Sequence, residues 1–272
     1  MAQVLAVSLS GFYGWLRRAK SQRARDDEVL SEKITVFHCG SRATYGSPRI
    51  HKDLKAAGHN VGRKRVARLM RLAGIRGKTK RKFKTTTTSQ HSRPKANNLV
   101  EQNFDVATPN TLWAGDITYV PTAEGWLYLA VTLDLFSRKV VGWSFSDRLT
   151  DGLTLSALEM ATQQRSGLTA LTHHSDGGSQ YASRAFRAAL KANRITQSMS
   201  GKGNCYDNAV VESFFATLKT EAVESAHYKT RQQAKTSIFS YLEGFYNPKR
   251  RHSSLGFLSP NDFERVHFDR AA

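Results

Sequence analysis

Cysteine is nearly absent: of 272 residues only Cys39 and Cys205 are cysteine. They stand far apart with no CxxC pair, which speaks against a disulfide framework and a four-ligand zinc site and fits two reduced thiols. Long apolar runs are missing too. Nowhere do about eighteen apolar residues follow one another, the length a membrane helix requires. The opening MAQVLAVSLSGFYGWLRR has too short an apolar stretch, and no cleavage-like end, for a signal peptide. The expectation is a globular, cytoplasmic protein with no membrane partner, its 40% hydrophobic residues enough for one large domain and a smaller one. Acidic residues are scarce in one third of the chain. Residues 1–95 carry 23 Lys+Arg against 5 Asp+Glu, whereas residues 96–272 carry 18 against 17. Nearly all of the net charge of +19 therefore belongs to the first segment. That is the electrostatic footprint of a phosphate-binding arm joined to a body with a different task.

Within that arm the pattern from Tyr45 to Ile75, YGSPRIHKDLKAAGHNVGRKRVARLMRLAGI, reads as a short helix, a turn near Gly58 to Gly62 and a second helix. In the second helix Val66, Leu69 and Met70 recur at helical spacing and face a small core, leaving Arg63, Lys64, Arg65, Arg68 and Arg71 outside. A helix-turn-helix with that basic face is suited to DNA. The segment GKTKRKFKTTTTSQHSRPKANN, Gly77 to Asn98, is poor in apolar residues and reads as a basic linker, with Lys78, Lys80, Arg81 and Lys82 as further phosphate contacts. The expected organisation is a basic helical region over 1–76, a linker over 77–104 and an α/β core with a helical tail over 105–272.

From Thr111 the pattern changes to strands. TLWAGDITYV, GWLYLAVTLDLF and RKVVGWSFS are β-rich runs separated by turn signals, as in an antiparallel meander. A helix over Asp151–Arg165, a strand at LTHHS, a helix over Tyr181–Ala192, a strand at ITQS and a helix from an Asp207 N-cap complete the order βββαβαβα. That order predicts a mixed five-stranded sheet with flanking helices, the ribonuclease H-like arrangement.

Three carboxylates stand out on these elements. Asp116 sits inside an apolar strand run, where an ionised group needs a cation or hydrogen bonds. Asp176 ends a short strand before Gly177 and Gly178, and strand ends are where α/β sheets place ligands. Glu212 lies one turn into the last helix and shares a face with Asn208 by i, i+4 spacing. In the expected fold the ends of these elements converge. Three carboxylates in one cleft call for hard cations, and Mg2+, for which Mn2+ can substitute, suits such oxygen donors. Paired ions of this kind serve in-line phosphoryl displacement.

At these residues the sequence resembles the transposases of the IS3 family of insertion sequences, within the retroviral-integrase superfamily. The motifs are WAGDITYV, HSDGGSQY, SGKGNCYDNAVVESFFATLKTE and YNPKRRHSSLGFLSP, with YGSPRIHKDL and RKRVARLMR upstream, so the likeness covers nearly the whole chain. Residues 177 to 211 separate Asp176 from Glu212, the spacing that the superfamily shows. The resemblance implies that Asp116, Asp176 and Glu212 are the catalytic metal-binding triad of a DNA strand-cleaving and strand-transferring enzyme. Lys219, seven residues after Glu212 and two helical turns along the same face, matches a lysine expected to touch donor DNA. The loop Gly201 to Tyr206 resembles the flexible loop beside such sites, while Tyr246, Asn247, Arg251 and His252 match family motifs with structural or DNA-contact roles.

The same likeness implies partners: DNA as element ends and target, a homo-oligomer on that DNA, and an upstream-frame DNA-binding module supplied as a subunit or by frameshift fusion. It also implies work at the bacterial nucleoid. The zinc module of a retroviral integrase would require two His and two Cys, and only Cys39 accompanies His38, His51 and His59. Of His173 and His174, neighbours on a strand that point to opposite faces, at most one is expected near the site. The different-class alternative is a non-catalytic DNA-binding regulator derived from a transposase, which need not retain three carboxylates. A simple nuclease is a third, separable by whether strands are joined.

Overall fold

A computed structural model describes residues 7–79, 95–201, 208–224 and 226–271. The chain forms two units, Met1–Lys78 and Thr79–Ala272.

Among its described residues the first unit has four helices: α1 Leu9–Arg17, α2 Gln22–Gly40, α3 Ser47–Ala56 and α4 Arg63–Leu72. Helices α3 and α4 form the expected helix-turn-helix. Pro48 fits the first turn of α3, where its missing N–H leaves no intrahelical partner wanting. Val66, Leu69 and Met70 of α4 are buried, as their spacing predicts. They pack in a core with Leu30 and Ile34 of α2 and Ile50 and Leu54 of α3, all buried.

The second unit is built on a five-stranded sheet in the order β3-β2-β1-β4-β5. Its strands are β1 Leu112–Thr122, β2 Gly125–Asp134, β3 Lys139–Ser146, β4 Thr172–Ser175 and β5 Thr196–Met199. The first three pair antiparallel, whereas β4 and β5 join parallel to β1, which makes the mixed sheet expected from the sequence. Helices α5 Asp151–Gln164 and α6 Arg184–Ala192 connect the later strands, and α7 Ala209–Leu218, α8 Arg231–Tyr241 and α9 Pro260–Ala271 follow. A core of Trp113, Val141, Leu158, Leu171, Phe186, Leu190 and Met199 joins the sheet to α5 and α6.

Three expectations shift at their edges. Helix α6 starts at Arg184 and not at Tyr181, because Ser183 caps it by accepting from the Phe186 amide at 3.1 Å while the Tyr181 ring is buried in the core. The N-cap of α7 is Asn208, one residue beyond the anticipated Asp207, which lies outside the described residues. The end of the expected linker belongs to the sheet unit: Leu99 N donates to Ser198 Oγ at 2.9 Å, Met199 N donates to Asn97 O at 3.3 Å, and Val100 is buried.

Candidate active site

The site grows from one register. Strand β4 pairs only with the first four residues of β1, from Leu112↔Thr172 to Gly115↔Ser175. Asp116 and Asp176 are the next residues on the two strands, so they leave the parallel ladder side by side. The ends of parallel strands are open because the chain must turn away there to reach its crossover. Asp176 makes that turn itself, its Oδ1 accepting from the Gly178 amide at 3.0 Å. A Cβ at Gly178 would stand 2.8 Å from the same oxygen, so a side chain there would displace the Asp176 carboxylate. Asp116 Oδ1 accepts from the Ile117 amide at 2.7 Å.

Glu212 approaches from α7, which packs against β1. The electrostatics tie the three groups together. Burial, and then the negative charge of Asp176, push the Asp116 carboxyl well above the ordinary carboxylate range. Glu212 adds to that rise, while the Ile117 amide and the Lys219 ammonium oppose it. The Glu212 carboxyl is itself raised, by burial and then by Asp176. Three oxygen donors that resist joint ionisation are a set that a hard divalent cation would relieve. Among the described residues no three His, Cys, Asp or Glu side chains already stand close enough to form a metal-ligand set. The chemistry of the donor set fits a cation, and closing on it requires the side chains to converge further.

On the face of the sheet that Gly115 presents, across β1 from the Asp116 side chain, the packing is aromatic. His173 is buried with both ring nitrogens lacking a hydrogen-bond partner, and burial, with His174 beside it, pushes its pKa down to about 3. It packs edge-on against Phe186 and near Tyr181. Tyr181, also buried, has a hydroxyl raised well above its usual range by burial and by the charges of Asp116 and Asp176. His174 turns the other way, its Nδ1 and Nε2 lying 2.9 and 3.2 Å from the Ser198 and Ser200 hydroxyls. Alternation along the strand thus separates the two histidines as expected. Tyr181 and Tyr119, whose hydroxyls feel Asp116 and Asp176, escaped the sequence reading. The final Tyr of HSDGGSQY was a signal that pointed to the first of them.

Lys219 stands where α7 passes into a π-helical turn, Lys219–Val223. Such turns insert a residue into a helix at a cost and recur at functional sites. Here Glu221 in the turn receives Arg250 at both carboxylate oxygens, 2.6 and 2.8 Å, and the Tyr241 hydroxyl at 2.8 Å. All three groups are buried.

The motif residues near the C-terminus make contacts within the fold. Asn247 clamps β3, its amide accepting from Val140 N and donating to Val140 O at 3.0 Å each. Tyr246 donates to Arg138 O at 3.1 Å, Arg251 donates to Phe257 O at 2.8 Å, and His252 bridges to Leu258.

The anticipated basic face of α4 is narrower than its sequence implies. Arg65 and Arg68 both pair with Asp27 of α2, Arg65 Nε at 2.7 Å, and two guanidinium groups hold that carboxyl below its ordinary range. Arg63, Lys64 and Arg71 remain exposed, as does Lys78, whose amide donates to Thr44 O at 3.1 Å. Lys80, Arg81 and Lys82, and the loop residues 202–207, lie outside the described residues.

Residues 107–205 and 193–260 each match an integrase core domain family, and residues 24–83 match an HTH-like domain. The chain is 44% identical to the insertion element IS600 uncharacterized 31 kDa protein of Shigella sonnei, over 100% of both chains. It is 43% identical to the transposase InsF for insertion sequence IS3A of Escherichia coli (strain K12), over 97% of this chain and 92% of that one. Among solved structures, a chain of the simian T-cell lymphotropic virus intasome in complex with PP2A regulatory subunit B56 gamma has a similar fold, with a TM-score of 0.50. That likeness has 17% identity and covers 86% of this chain and 74% of that one.

Proposed function

The chain belongs to the IS3-family insertion-sequence transposases, and from that membership we propose that Asp116, Asp176 and Glu212 are the catalytic, metal-binding residues of its DNA strand-transfer site. The enzyme is a polynucleotidyl transferase acting in DNA transposition and integration. The observation that carries the site is the Gly115↔Ser175 register, which ends the ladder with Asp116 and Asp176 side by side. Magnesium, or manganese in its place, supplies activation of the attacking oxygen and stabilisation of the leaving oxygen when bound. In the reaction a 3′-hydroxyl attacks phosphorus in line, the new P–O bond forms, and the target strand leaves with its own 3′-oxygen protonated. No covalent enzyme intermediate is required.

The protein's part is positional. Asp116 offers an oxygen from within β1 and Asp176 one from the turn after β4, Glu212 offers a third from α7, and Lys219 meets a phosphate of the donor strand. The His173 and Tyr181 rings pack against Gly115 and hold β1 in place beside Asp116. Arg63, Lys64, Arg71 and the basic residues at 78–82 hold duplex DNA, with the basic region over 1–76 and the start of the linker acting as the arm of the sheet unit. An upstream-frame module, as fusion or subunit, supplies recognition of the element ends, and the active form is an oligomer on DNA at the nucleoid.

The test is a strand-transfer assay with element-end DNA, magnesium and the variants Asp116→Asn, Asp176→Asn and Glu212→Gln. Each single change should abolish joining as completely as all three together and leave DNA binding intact, since groups acting as one unit lose function non-additively. One variant that joins like wild type overturns the triad. Cutting without joining by the wild type points to a nuclease, and binding without either to the regulator.

A further inference from the structure

At the hairpin end of β1 and β2 the sheet carries two aromatic rings that the core does not absorb. Tyr119 and Trp126 are 46% and 53% exposed, while Val120 and Leu127 beside them are fully buried. The two rings meet edge to face with centroids 6.1 Å apart, and Tyr119 makes a second such contact with Tyr128 at 5.2 Å. Their backbone is held: Tyr119 pairs with Tyr128 across the ladder, and Arg231 Nε donates to the Trp126 carbonyl at 3.0 Å. These rings line a groove of about 940 Å³ whose other side is the π-helical turn and the segment after it, with Lys219, His227 and Lys229. Glu224 is the single carboxylate among its described lining residues.

Exposed aromatic faces interleaved with cations are the chemistry of unpaired nucleotides. A base stacks on a ring whatever its identity, and an ammonium meets the phosphate between bases. Paired duplex keeps its base faces stacked internally and cannot use such rings, and a neutral ligand has no need of the lysines. The groove also has a wall in common with the carboxylate site, because Lys219 lines it and Asp116 feels the charge of Lys219.

We infer that this groove receives unpaired nucleotides of a DNA strand, stacked on Trp126 and Tyr119 and held at a phosphate by Lys229. This deepens the strand-transfer reading and rests on it: the strand whose backbone reaches the carboxylates is parted from its complement, and its loosened bases lodge beside Lys219.

The test uses the full chain in chelator, so that no metal chemistry intervenes, and compares a blunt duplex with the same duplex bearing a short single-stranded thymidine tail. Wild type should bind the tailed duplex more tightly. Trp126→Ala should weaken that binding roughly fivefold or more, the order seen when a stacking ring is removed. Binding of the blunt duplex should not change, nor should the melting temperature, since the ring is half exposed. Trp126→Phe should restore much of the preference. Light-induced cross-linking from 5-iododeoxyuridine in the tail should map to Trp126 or Tyr119. Equal binding of blunt and tailed duplex by wild type, or a tail preference untouched in Trp126→Ala, overturns the groove and leaves the triad standing. Asp116→Asn should keep the tail preference intact. If it also kept strand-transfer activity in magnesium, the triad would fall while the groove stood.

Discussion

Gly115 and Ser175 face each other as the last pair of the parallel β1–β4 ladder, and each is followed at once by an aspartate, Asp116 or Asp176. The two carboxylates therefore start from adjacent points of the sheet, Asp116 within β1 and Asp176 in the turn that follows β4. The strand holds Asp116 firmly, and the Gly178 amide fixes Asp176 in its turn, which suits a site that must gather like charges around a cation.

Gly115 is itself pinned. A Cβ there would meet His173 Cε1 at 2.8 Å and Nε2 at 2.9 Å, with Tyr181 at 3.2 Å. Gly115→Ala should lower stability by about 1–3 kcal/mol, the usual cost of overpacking a core. It should also depress strand transfer by moving Asp116. Adding His173→Ala should recover part of the stability. Thermal unfolding checks this, and an unchanged melting temperature for Gly115→Ala would refute it.

Arg250 is buried against Glu221 of the π-helical turn that begins at Lys219. Arg250→Met should cost about 3–5 kcal/mol in urea unfolding, because it strands a buried carboxylate. Glu221→Gln combined with Arg250→Met should be less destabilised than Arg250→Met alone. Additive losses would show that the two residues do not act as a pair.

On the arm, the variant with Arg63, Lys64 and Arg71 all changed to Ala should bind duplex DNA with a shallower salt dependence, the log–log slope falling by about 0.9 for each phosphate no longer neutralised. Its folding should be unchanged. Arg65→Ala and Arg68→Ala should instead destabilise the first unit through the loss of Asp27 pairing. A salt slope that stays constant in the triple variant would remove α4 from the DNA interface.

Glu264 of α9 meets Arg165, Ser137 and Lys139, with Asp134 facing the same guanidinium at 3.6 Å. Burial alone would raise this carboxyl, yet the Arg165 hydrogen bonds, helped by Ser137 and Lys139, hold it below the ordinary range. A depressed folded-state pKa stabilises above the unfolded value of about 4.3 and loses that contribution as pH falls through the folded value. Glu264→Gln should thus be less stable than wild type near neutral pH, with the gap closing below about pH 4. A gap that stayed constant with pH would show that the charge is immaterial.

Much of this was written in local pattern. Alternating and apolar runs fixed five strands in order, the spacing of Val66, Leu69 and Met70 fixed the buried side of α4, and the scarcity of acid in residues 1–95 located the arm. Asp116 was singled out because it sits inside an apolar strand run, Asp176 and Glu212 because their elements converge on it and their spacing matches the family. Periodicity and spacing act over a few residues, so the chain itself carries those signals. What only the tertiary structure decided are the meetings across distance. Asp27 takes Arg65 from 38 residues away, so two of five arginine and lysine side chains leave the basic face. Tyr181 and His173 close against Gly115, and Arg250 reaches 29 residues back to Glu221. Trp126 stays outside the core while Leu127 goes in. In each case the partner is chosen by packing, since a charge or a ring seeks whatever the fold brings near it, and no local pattern names that neighbour.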